Sequence, residues 1–313
     1  MIVVDRPHGF RLFFALRGSI LPRIVGSLST CTLLAVAVSF THGTLLHWKV
    51  TLTPVPFSLI GLAPAIFLGF RNGAAYDRYV EGRRLWGDVT HRSRSLARQL
   101  QSLVRAEAPA RDAERDDPRV QFLRRTIAFA HALRHQLRGG DPTPELQRLL
   151  GPEEARAAAA SPLPHDWLLR RNGLVLGECL RAGRVDAPLA AEIDAHLSGL
   201  AAAAAGCERI QSLPIPFAYT LLLHRTAYLY CFLLPFGLVD LIGPVVTPFV
   251  VAIVAYTFFG LDAVGDEIED PFGEKPHHLP LEAICTTIEI NVLEALGAAE
   301  LPIAPRPIDG LLR

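Results

Sequence analysis

The usual signatures of catalysis and of covalent cross-linking are missing from this chain. No Gly-rich phosphate loop, nucleophile elbow or Ser–His–Asp order occurs, so no common hydrolase or nucleotide-binding chemistry is indicated. Cysteine is sparse: Cys31, Cys179, Cys207, Cys231 and Cys285 are widely scattered, with no CxxC pair. That argues against a disulfide framework or zinc site and for small buried residues. No stretch alternates apolar with polar residues over any length, so an all-α fold is expected. Charge of one sign is not in excess either, with 31 Lys plus Arg against 31 Asp plus Glu and a pI of about 7.2. A nucleic-acid binder usually carries a net basic domain, so nucleic acid is not an expected partner.

What is present is apolar surface in long runs. Half of the 313 residues are hydrophobic, and the mean hydropathy of +0.28 is high for a chain with 20% charged residues. The charge is concentrated in the middle, the pattern of a polytopic membrane protein with a soluble portion. Residues 24–46 carry no Asp, Glu, Lys or Arg, and about 20 helical residues suffice to cross a ~30 Å hydrocarbon core. No small-residue cleavage site follows this run cleanly, so it is read as an uncleaved span. A second uncharged run, 50–70, contains Pro54, Pro56, Gly61, Pro64 and Gly69, breakers that a membrane helix tolerates when its neighbours satisfy the freed backbone. Residues 213–239, apolar except for His224 and Arg225, and the uncharged 241–261 form a second hairpin.

The expected organisation is a cytosolic N-terminal segment 1–23, membrane hairpin 24–70, cytosolic helical domain 71–212, membrane hairpin 213–261 and cytosolic C-terminal segment 262–313. Within the helical domain Tyr79, Trp86 and Ser93, and Val89, Leu96 and Leu103, recur every seven residues. The helix that begins in the second span therefore continues well past it. Residues 108–118 read as a loop, 121–138, 168–180 and 190–210 as helices, 139–165 as irregular at both ends, and 281–296 as a short amphipathic helix. Basic residues crowd before the first span and after the second, while the short connections hold only Lys49 and Asp240. The positive-inside rule then puts both termini and the helical domain in the cytoplasm, in a multi-pass protein of the cytoplasmic membrane. Four spans do not easily enclose a pore in one chain, so a conduit would require several subunits around an axis.

Leu62, Ile66 and Phe70 fall at i, i+4 and i+8 and share one helix face. Such a stripe either packs against a neighbour in the bilayer or lines a narrow pore that excludes ions by dewetting. Tyr76, Tyr79, Arg83 and Trp86 read as an interfacial belt or inter-subunit packing. His224 and Arg225 read as a structural ion pair or as snorkelling side chains. Asp262, Asp266, Glu267, Glu269 and Asp270 either attract cations or pair with arginines of the 71–98 helix. His131 and His135, at i and i+4, together with Glu153, Glu154 and His165, read as a solvated helix face rather than a metal site.

Three strings carry a resemblance: GFRNGAAYDRYVEGRRLWG (69–87), IPFAYTLLLHRTAYLYCFLLPFGLVD (215–240) and TFFGLDAVGDEIEDPFGE (257–274). On these the chain resembles the bestrophins, pentameric ion channels, and their bacterial branch in particular. The resemblance implies a homopentamer with one central pore, a neck formed by Leu62, Ile66 and Phe70, and a wider vestibule enclosed by cytosolic helices, into which the acidic cluster 262–270 could draw cations. It also implies a second constriction from the 168–180 helix, for which Leu176 and Leu180 are the candidates. Animal members hold Ca²⁺ in an acidic clasp. Here Glu267 and Asp270 match two of its positions, but Lys275 and His278 stand at the other two. A lysine among oxygen ligands argues against a Ca²⁺ site, so no metal and no cofactor are expected.

The function expected is passive conduction of small monovalent ions, leaning to Na⁺ or K⁺ because of the acidic cluster. The alternative is a chloride or anion channel of the same fold. A non-conducting scaffold or a membrane enzyme ranks lower, the latter because no convergent set of catalytic residues is present.

Overall fold

The structure, a computed structural model, describes the chain except for residues 4–14, 17, 42–43, 46–47, 50–53, 107–109, 113–115 and 313, and the side chains at 44–45, 48–49, 54–56 and 58–59. The expected end of the first span at Leu46, the start of the second at Val50 and part of the 108–118 loop lie outside the described residues.

The chain is helical, with α1 (Leu21–Phe40), α2 (Pro54–Leu103), α3 (Pro118–Arg138), α4 (Thr143–Leu149), α5 (Pro152–Ala159), α6 (Pro164–Arg181), α7 (Ala187–Ser212), α8 (Phe217–Ile242), α9 (Thr247–Ile268) and α10 (Leu281–Ala295). The all-α class holds, with one small addition. Two-residue strands β1 (Thr44–Leu45) and β2 (Trp48–Lys49) pair antiparallel between α1 and α2. A ribbon that short has no room for alternation, so no pattern announces it. The 139–165 stretch also holds two short helices, α4 and α5, each opened by a proline in its first turn, where a missing N–H costs nothing.

The described residues form two compact units. One comprises Asp5–Tyr79 and Pro214–Asp270, the other Met1–Val4, Val80–Leu213 and Pro271–Arg313. In the first, α1, α8 and α9 pack together on Ile24, Cys31, Ala35, Cys231, Leu234, Val251, Ala255 and Phe259. Small residues at this seam let backbones approach closely, as membrane helices require where water gives no hydrophobic drive. The Cys31 thiol donates to the Cys231 carbonyl at 3.2 Å. Helices α1, α8 and α9 are each long and apolar enough to cross a membrane. Helix α9 runs seven residues past the expected boundary at Leu261, to Ile268. Its last two turns keep their helix because their carboxylates find arginine partners within the unit.

In the second unit α3 is the central helix, with its own Val120, Phe122, Leu123, Ile127, Phe129 and Leu133 buried on nearly every side. Asp117 caps its start by accepting from the Arg119 N–H at 2.7 Å, and Gly139, at φ +64°, ends it in the left-handed conformation that glycine adopts freely. The arginines of α3 are buried but paired, Arg124 with Asp112, Arg125 with Glu154 and Arg134 with Glu145. Helices α6 and α10 flank α3, and the Asn172 amide of α6 donates to the Phe122 carbonyl at 3.1 Å.

Candidate pore-lining site

Helix α2 crosses the first unit with two unlike faces. Gly61, Leu68 and Ala75 are buried against the unit, and Gly61 has no room for a side chain: a Cβ there would lie 2.6 Å from the Tyr230 ring. On the other side Leu62, Ile66 and Phe70 are 56%, 48% and 66% exposed in the protomer. Three large apolar side chains at four-residue spacing thus form one uncovered stripe.

The next residue reverses the character of the helix. Arg71 is 1% exposed, and its Nη1 donates to Asp262 Oδ1 of α9 at 2.8 Å. Nη2 pairs with Asp266 and lies 3.6 Å from Glu269. Asn72 adds a bond from its amide to the Leu261 carbonyl at 3.0 Å, across a notch left by Gly265, where a Cβ would lie 2.3 Å from Asn72 Oδ1. Asp262 is shared: its second oxygen meets His224 Nδ1 at 2.7 Å, and the His224 ring lies on Tyr228, which in turn lies on Phe259. Arg23 of α1 reaches Asp266 at 3.0 Å and Glu267 at 3.8 Å. Glu269 accepts from the Ile215 N–H at 2.9 Å, and its carbonyl accepts from Arg78 Nε at 3.1 Å.

This network selects one of the two readings of the acidic cluster, pairing with an arginine of the 71–98 helix. Asp262, Asp266, Glu267 and Glu269 are not free charges facing an aqueous space. They neutralise Arg71 and Arg23, and Asp262 and Glu267 are themselves buried. Asp270 is exposed. The periodicity of α2 did not disclose Arg71 as the centre of this cluster. The signal was there: a lone arginine directly after an apolar stripe, and carboxylates at 262, 266 and 269 along one helix face.

The constriction candidates separate. Leu180 is 40% exposed, but Leu176 is 6% exposed and belongs to the α6 face that packs on the second unit's core with Leu168, Asn172 and Cys179. Leu176 therefore does not line an open passage; the helix turns it inward. The exposed leucine that sequence reasoning passed over is Leu174, on the outer face of α6. The histidine expectation is also corrected. His131 is 4% exposed, with Nε2 3.0 Å from Glu289, and Glu289 also takes both Nη atoms of Arg148. His135 pairs with Glu145 at 3.0 Å, and buried His165 with Glu208 at 3.1 Å. His131 and His135 thus lie against carboxylates beside the core helix α3, and His165 is buried on α6, rather than forming one wetted surface. Burial alone would raise the Glu289 pKa, but the bonds from Arg148 and His131 outweigh it and hold the carboxyl at about 2. Tyr76 is exposed, whereas Trp86 is buried in the second unit. Lys275 and the buried His278 lie in that same unit, and among the described residues no three His, Cys, Asp or Glu are placed to hold a metal.

Comparison with known proteins adds an independent line. A family described as bacterial/fungal bestrophin protein matches residues 1–294. The voltage-dependent anion channel-forming protein YneE of Escherichia coli strain K12 is 42% identical over 307 residues, covering 96% of each chain. A voltage-dependent anion channel-forming protein of Mesorhizobium japonicum is 42% identical, over 97% of this chain and 95% of its own. A mutant bacterial bestrophin homolog from Klebsiella pneumoniae, solved by crystallography, superposes with a TM-score of 0.82 at 41% identity, covering 88% of this chain and 99% of that one.

Proposed function

The chain belongs to the bacterial and fungal bestrophins, a membrane family of ion channels and not of enzymes, and we propose that five copies surround one pore whose neck is Leu62, Ile66 and Phe70. The observation that carries this reading is the uncovered apolar stripe on α2, ended by a buried arginine. In a bilayer such a stripe is covered by lipid or by copies of this chain, and the resemblance to pentameric channels favours copies. Rings of such residues give a passage that water leaves readily and that an ion enters only by shedding hydration, the physical basis of an apolar gate.

In this reading four segments span the cytoplasmic membrane: α1, the first part of α2, α8 and α9. Both termini and the second unit face the cytoplasm. The permeant species are small monovalent ions moving down their gradients. An apolar neck does not choose the sign of charge, so charged groups beside it do, and monovalent cations are the preferred species here. The acidic cluster 262–270 contributes little to that preference, because arginines neutralise most of it. The second reading, anion conduction, is favoured by the names of the relatives.

The test is reconstitution of the purified protein in a planar bilayer under a tenfold KCl gradient. A reversal potential near the K⁺ equilibrium value supports cation conduction, and one near the Cl⁻ value supports the second reading. Absence of any conductance from a verified pentamer supports a scaffold instead.

A further inference from the structure

We infer that Asp77 is the residue that sets the charge preference of the pathway. The inference rests on the proposed neck and pentamer. Asp77 lies seven residues after Phe70 in the uninterrupted helix α2. Seven residues are nearly two turns, so Asp77 returns to within about 20° of the Phe70 direction, some 10 Å further along the axis. It is exposed, on the same open side as Leu62, Ile66 and Phe70.

Its charge is left uncompensated. Within the first unit Asp262, Asp266, Glu267 and Glu269 are held by Arg71 or Arg23, and Asp240 and Asp270 are also engaged. Among the described residues Asp77 alone of that unit's acids makes no hydrogen bond or ion pair. Its neighbours along the helix offer nothing either: Gly73, Ala74, Val80 and Glu81 occupy the positions three and four residues away, where a lysine or arginine would pair with it. The adjacent Arg78 turns instead to the Glu269 carbonyl.

Fivefold repetition turns one such carboxylate into a ring at the inner mouth of the neck. A ring of like charge in a confined passage raises the local concentration of counter-ions and lowers that of co-ions, before either reaches the apolar barrier. Asp77 is therefore a specificity-determining residue for a pore whose barrier is indifferent to sign.

Planar-bilayer recordings of wild type, Asp77→Asn and Asp77→Lys under a KCl gradient test this, with Phe70→Ala as the control for the neck. Size-exclusion chromatography establishes that each variant assembles. The wild type is expected to prefer K⁺, Asp77→Asn to reduce the K⁺-to-Cl⁻ permeability ratio by about tenfold, the low end of such focusing, and Asp77→Lys to invert it. An anion-preferring wild type overturns the inference, as does an unchanged ratio in Asp77→Asn while Phe70→Ala enlarges the conductance. If Phe70→Ala also leaves the conductance unchanged, the neck itself is misplaced and the inference falls with it.

Discussion

The Arg71 guanidinium of α2 donates to the Asp262 carboxylate of α9 at 2.8 Å, with both side chains buried and one residue beyond the uncovered Phe70. This bond fixes the register of the helix that carries the apolar stripe. Breaking a buried pair by removing one partner typically costs 3–5 kcal/mol, because the other charge stays behind. Arg71→Met should therefore lower the thermal midpoint in detergent strongly. Arg71→Met with Asp262→Leu should recover part of that loss, since a buried pair replaced by apolar groups is often close to neutral. A double variant no more stable than the single would show that the pair does not act as a unit.

Gly265 tests the same contact sterically. A Cβ at that position would meet Asn72 Oδ1 at 2.3 Å and displace the bond to the Leu261 carbonyl. Gly265→Ala should destabilise the first unit by about 1–3 kcal/mol, the usual cost of overpacking. A thermal midpoint equal to wild type would place α2 and α9 further apart than this.

Glu289 predicts an acid sensitivity. Its carboxyl is held at about 2 in the folded chain, against an ordinary value near 4.5. A depressed carboxylate stabilises the fold above its unfolded pKa, and that stability disappears as pH falls from about 4.5 toward 2. The contribution at neutral pH is a few kcal/mol at 1.36 kcal/mol per unit. Glu289→Gln should lower the thermal midpoint at pH 7 and flatten its dependence below pH 4.5. A curve parallel to wild type through that window would remove Glu289 from the account.

All five cysteines are buried, and burial pushes Cys207 and Cys285 up to about 12. The native channel should therefore react slowly with water-soluble thiol reagents. Against that background Phe70→Cys should be modified readily, and a charged reagent there should alter the current. Protection of this introduced thiol, comparable to the native five, would argue for a packed rather than a pore-facing stripe.

Much of the helical frame was legible, because apolar runs and seven-residue repeats follow from helix geometry alone. Trp86, Val89, Ser93 and Leu96 are buried on the faces that their spacing indicated. Side-chain partners were less legible, since pairing depends on which helices meet. His131 looked solvated until α10 covered it with Glu289, whereas the carboxylates of α9 do meet an arginine of the 71–98 helix, one of the two readings their positions allowed. Leu176 and Leu180 share one side of α6 and the same chemistry, yet Leu176 is covered while Leu180, in the last turn, is partly exposed. Helix α6 has leucines all round, so periodicity there does not choose a face. The β1–β2 ribbon is too short to leave a pattern.

The central claim is that Leu62, Ile66 and Phe70 form the barrier to conduction. Single-channel recording of the triple variant Leu62→Ala, Ile66→Ala, Phe70→Ala tests it most directly. A widened ring admits water more readily, so the unitary conductance should exceed that of wild type in the same lipid and salt. A conductance equal to or below wild type, from a variant that assembles normally, would contradict the account.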